Sequence, residues 1–223
     1  MYTTKPTTPS PRLSILSTLL PKQTDFMSAS LLLLGIFSLL YHTTLLQPLQ
    51  SADDLSMLLL SWSLVQSTLT IRQSPFRSQL ITWSLAFITP CIAGIYLHTG
   101  NVNYHVAGFS SMLVVSAIRA QWLLHYSDLG LDRRLVRGWD RRLWKYMGLC
   151  VAGYGLWNVD MAFCMELREI RGVIGLPWGW VLELHGWWHV LTAVGASGCM
   201  DVAREVWDEV EGGGRGRRAE KRR

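Results

Sequence analysis

A chain of 223 residues that is 49% hydrophobic, holds 11 Trp and has a mean hydropathy of +0.20 is too apolar for an ordinary soluble domain. Its apolar residues fall into long runs separated by short polar stretches, the pattern of an all-α, polytopic membrane bundle. The formal charge of +5 sits between and after those runs, which argues against a nucleic-acid surface, and four cysteines without CxxC spacing indicate neither a disulfide framework nor a cysteine zinc site.

Residues 1–26 form a leader rich in Ser, Thr and Pro, expected to be disordered and cytosolic. Its apolar run at 13–20 is too short to span a bilayer, and no small-residue cleavage site marks a targeting peptide. Residues 27–200 form the transmembrane domain, with six predicted spans at 27–46, 53–71, 80–97, 106–124, 144–163 and 178–200. Each is close to the ~20 residues needed to cross the hydrocarbon core, and Pro90 is expected to kink the third. Residues 201–223 complete the chain as a basic tail.

Orientation follows from the connections. Arg72 and Arg77 flank the second; Arg133, Arg134, Arg137, Arg141, Arg142 and Lys145 crowd the fourth; Arg215, Arg217, Arg218, Lys221, Arg222 and Arg223 load the tail. The first and third, at 47–52 and 98–105, carry no Lys or Arg. In the fifth, Arg168 and Arg171 are balanced by Glu166 and Glu169. Alternate connections are basic, so the positive-inside rule places both termini in the cytosol.

That orientation sets the depth of each polar group. His185 and His189 stand four residues apart, so one helical face presents both rings, the commonest helical half of a zinc site. They are expected one to two turns into the last span from its non-cytosolic side. His42 lies near the same end of the first span, Ser38 sits one turn deeper on the same face, and Asp53 opens the second span there. Three neutral imidazoles plus a water make an open zinc site whose water ionises near a pKa of roughly 7. Asp53 suits general acid/base work, and Ser38 suits donation to an oxyanion. In lipid, the substrate would be a lipid with a hydrolysable bond.

Blander readings stand beside these. A lone intramembrane histidine is often a packing residue, Ser38 can bond back to a helix carbonyl, and Asp53 with Asp54 can favour a helix N-terminus. Trp178, Trp180, Trp187 and Trp188 can form an interfacial belt. His98, His105 and His125 read as interfacial or loop histidines, Arg119 as snorkelling to the cytosolic face, and Asp160 as a structural hydrogen-bonder.

The run Ser38-Leu39-Leu40-Tyr41-His42-Thr43-Thr44-Leu45, followed by Asp53-Asp54-Leu55-Ser56-Met57 with Asp53 eleven positions after His42, resembles the alkaline ceramidases. Leu156-Trp157-Asn158-Val159-Asp160 with Cys164 resembles their Trp-Asn-x-Asp segment, and Ile174-Gly175-Leu176-Pro177-Trp178-Gly179 through His185-Gly186-Trp187-Trp188-His189 is similar to the fungal members. The histidine and aspartate skeleton alone also fits the wider superfamily of seven-helix metal hydrolases; the Gly-Leu-Pro-Trp and His-Gly-Trp-Trp-His segments favour the ceramidases. The resemblance implies zinc on His42, His185 and His189, acid/base work by Asp53, assistance by Ser38 and a substrate-cavity wall at Trp188. It also implies hydrolysis of the ceramide amide to a sphingoid base and a fatty acid, on phytoceramide or dihydroceramide, in endoplasmic reticulum or Golgi membranes. Family members carry in addition an N-terminal acidic Trp-Cys-Glu-Glu/Asp segment and a further span, which supply a calcium site. Residues 1–26 show no match to it, so six spans are expected rather than seven, calcium is not expected, and Cys164 is expected to be unpaired. Asp54 stands where the family usually has Glu. The rival reading is a lipid-binding or receptor-like relative without turnover.

Overall fold

In lipid every backbone N–H and C=O must find a partner within its own segment, so long apolar runs fold as helices. The computed structural model describes residues 26–126 and 132–220, and among them the ordered elements are all helical. They are α1 (Phe26–Thr44), α2 (Gln47–Thr70), α3 (Pro75–Thr99), α4 (Val102–His125), α5 (Arg133–Ala162), the short α6 (Cys164–Ile174), a 3₁₀ turn (Trp178–Leu182) and α7 (Leu184–Glu220). The leader expected at 1–26 lies outside the described residues except for Phe26.

The starts are written in local chemistry. Ser74 accepts from the Arg77 amide with Pro75 in the first turn, Asn101 caps α4 through Asn103, and Asp132 caps α5 through Arg134. Gly100 closes α3 at φ +64°, a left-handed turn that glycine adopts without a Cβ penalty.

α1, α3 and α4 are long and apolar enough to cross a membrane. α2 is more polar because it is the central helix, packed against α1, α3 and α4. Its buried Ser56, Ser61, Ser63 and Thr68 bond back to carbonyls of their own helix, so small polar groups are satisfied where helices approach closely. The most extensive helix pair is α5 against α7. Gly195 makes it close: a Cβ there would lie 2.5 Å from Cys150 Sγ and 2.8 Å from the Tyr146 carbonyl.

Several elements run beyond the spans expected from hydropathy. α2 begins at Gln47, α5 at Arg133, and α7 continues through position 200, with Val202 and Val206 buried in a cluster with Ile71, Leu123, Leu124, Trp139 and Leu143. Helical hydrogen bonding propagates into water at low cost once nucleated, so helix ends and membrane boundaries need not coincide. The last predicted span does not begin as an α-helix at 178. Gly175 at φ +69° and the 3₁₀ turn interrupt the chain, so α7 starts at Leu184. His185 therefore lies in the first turn of its helix. α6 is an element that the sequence reading treated as connection, and α3 continues through Pro90.

Candidate metal centre

α1 ends where α7 begins, and that shared end brings His42 to His185 and His189. His42 occupies the last turn of α1, and only Leu45 and Leu46 separate it from α2. The Nε2 atoms of His42 and His189 face each other at 3.0 Å, and one ring nitrogen from each of the three histidines lies within 4.8 Å of the others. Ring centroids stand 5.1 Å apart for His42 and His185, 4.9 Å for His42 and His189, and 4.9 Å for His185 and His189. The His185 Nε2 is buried and has no hydrogen-bond partner, a costly state for a polar atom that nothing engages.

The rings are held from outside by aromatic packing. Trp188 lies on His185 at 5.2 Å and on His189 at 4.4 Å, and is backed by Trp157 of α5 at 6.1 Å. Tyr41 packs beside His42. Asp160, near the end of α5, lies close enough to His185 to act on it electrostatically. The start of α7 is pinned by Arg171, which donates to the Leu182 carbonyl and the Glu183 carboxylate, and by the Trp187 indole, which donates to the Val181 carbonyl.

Asp53 and Ser38 form a second, adjoining pair. Asp53 is buried in α2, and the Ser38 hydroxyl of α1 lies close enough to its carboxylate to interact with it, while Asp53 Oδ1 remains buried and unpartnered. Asp53 is not one of the three converging donors; Ser38 stands one turn before His42 on α1. A groove of about 600 Å³ between α1 and α7, lined by Leu31, Leu32, Ile36, Leu39, Ser197 and Met200 among others, reaches the residue after Ser38.

His105, in the first turn of α4, is buried in the protein: it is 3% exposed, with Nε2 at 2.9 Å from the Asp54 carbonyl oxygen. Because a carbonyl only accepts, that nitrogen carries the proton. Asp54 also accepts from the Tyr96 hydroxyl, so α2, α3 and α4 meet in a buried Asp54–Tyr96–His105 group that the sequence reading missed. The available signal was topological, since Tyr96 and His105 flank the short connection at the same end as His42. At the opposite, basic end, His125 pairs with Asp140 at 3.2 Å, and Arg119 donates to the Ile71 carbonyl and stacks over Trp122.

The family model described as Ceramidase matches residues 12–208, a stretch that includes Ser38, His42, Asp53, His185, Trp188 and His189. The chain belongs to the alkaline ceramidase family. It is 30% identical over 177 residues to alkaline ceramidase YPC1 of Saccharomyces cerevisiae, covering 73% of this chain and 55% of that protein. It is 26% identical over 171 residues to alkaline ceramidase 3 of Mus musculus, covering 75% of this chain and 60% of that protein. The chain thus spans little more than half the length of the curated relatives it matches.

Proposed function

We propose that the chain hydrolyses the N-acyl amide of ceramide-type lipids at a zinc ion held by His42, His185 and His189, with phytoceramide or dihydroceramide as substrate in endoplasmic reticulum or Golgi membranes. The observation that carries the reading is the convergence of three imidazoles from α1 and α7 within a membrane bundle of the ceramidase family. The donor set fits zinc. Ligands ~2.0–2.1 Å from a tetrahedral centre stand roughly 3.3 Å apart, close to the His42–His189 separation, and the orphaned His185 nitrogen needs a partner. When bound, the metal supplies Lewis acidity that polarises an acyl carbonyl and acidifies a water.

The chain's own groups supply the rest. Asp53 takes the proton of the attacking water as its oxygen bonds to the acyl carbon, and returns a proton to the amine as the C–N bond breaks. The products are a sphingoid base and a fatty acid. The Ser38 hydroxyl, already beside Asp53, donates a hydrogen bond to the developing oxyanion. Trp188 fixes the two α7 rings and walls the cavity, and the apolar groove beside Leu39 suits a hydrocarbon chain. A hydrolysis assay on membranes expressing the chain tests the reading. Sphingoid base is released, and His189→Ala lowers release to background; full turnover in that variant overturns the mechanism.

A further inference from the structure

We infer that Tyr96 and His105 are positioning residues for Asp53, acting through Asp54. This rests on the reading of Asp53 as the acid/base. Consecutive helical residues point about 100° apart, so while Asp53 turns toward Ser38 of α1, Asp54 turns toward α3 and α4. There its carboxylate accepts from the Tyr96 hydroxyl and its backbone carbonyl accepts from His105 Nε2. Tyr96 and His105 are 8% and 3% exposed, and their rings pack at 5.6 Å. A carbonyl and a carboxylate of one residue, held from two other helices, fix both the rotation of α2 about its axis and its axial position.

The adjoining packing makes this latch rigid. One turn along, Leu58 of α2 is 1% exposed and faces Gly108 of α4, where a Cβ would stand 3.6 Å from Leu58 Cδ2 and 2.7 Å from Ile92 Cγ2 of α3. Ser56 bonds the Asp53 carbonyl within α2 itself, so the bonds to Asp54 are the ones that tie the acidic pair to other helices. Asp53 Oδ1 has no hydrogen-bond partner of its own to correct a displacement. Its place opposite Ser38 is therefore inherited from Asp54.

Two readouts on the 223-residue chain test the inference. In the first, Tyr96→Phe, which keeps the ring and removes the donor, lowers kcat about 10- to 100-fold with KM changed by less than about threefold, as expected for misplacement near 1 Å. Zinc content stays at the parent value, and His105→Gln, which keeps an N–H donor, retains more activity than His105→Ala. In the second, Ser38 and Asp53 are both replaced by Cys, and the yield of the 38–53 disulfide is measured by mass spectrometry with and without Tyr96→Phe. The yield falls when Tyr96 is changed. An unchanged yield overturns the inference whatever the activity, and so does joint loss of zinc and turnover in Tyr96→Phe, which marks a structural role. An inactive parent with a Tyr96-dependent yield removes the hydrolase reading and leaves the latch standing.

Discussion

The two ends of the bundle are built from different materials. At the basic end an apolar cluster is buried: Ile71, just past α2, with Leu123, Leu124, Trp139, Leu143, Val202 and Val206 from three helices. Its polar contacts sit at the margin, where Trp139 and Arg142 both donate to Glu205 and His125 meets Asp140. At the histidine end the buried residues include Asp53, Ser56, Tyr96 and His105, and the packing is ring upon ring. One end is arranged to hold helices together and the other to hold polar groups out of water, so loss of stability and loss of activity should separate along the bundle axis.

The largest effect should come from the basic end. Trp139→Ala removes a 5%-exposed indole that spans from the cluster to Glu205, and should cost about 3–5 kcal/mol in thermal or denaturant unfolding in detergent. Zinc content per folded chain should not change. Next is Gly195→Ala, whose new Cβ meets the Tyr146 carbonyl as well as Cys150 Sγ and must push α7 off α5. Overpacking of this kind costs about 1–3 kcal/mol. Because the site lies on the same helix, two turns away, this variant should also lower turnover. If turnover is unaffected, the two ends are less coupled through α7 than its continuity implies.

A smaller effect is expected from the site itself. In metal-stripped protein His189→Ala should change stability by less than about 1 kcal/mol, because functional polar groups are held at little net gain. A large loss would mean that the imidazole cluster is structural packing. Smallest is the pH response of the basic end. The Arg142 guanidinium, hydrogen-bonded to Glu205, holds that carboxyl below its usual range, with Trp139 adding a second donor. The stability this contributes is complete above the unfolded pKa of about 4.5 and is lost as pH falls through the lower folded value. For a pair this exposed it amounts to at most about 0.5 kcal/mol, and Arg142→Ala should flatten the acid limb of the stability profile by that amount.

The same contrast explains what the sequence could tell. His185 and His189 were legible because i, i+4 spacing is local, and His42 and Asp53 because alternating basic connections assign depth without any tertiary detail. The Asp54–Tyr96–His105 group was not, because it depends on the rotation of three helices about their axes, which hydropathy does not report. α6 and the 3₁₀ turn were missed since residues 163–183 are too short and too mixed in charge for a periodic signal. The long basic-end extensions of α5 and α7 escaped because hydropathy locates the membrane rather than the end of a helix.

The central claim is that His42, His185 and His189 together hold one zinc ion. Metal content of the purified chain by mass spectrometry, alongside each histidine changed singly to Ala, tests it most directly. One zinc per chain in the parent and loss in every variant is the expected result; a parent free of zinc, or a variant that keeps it, contradicts the account.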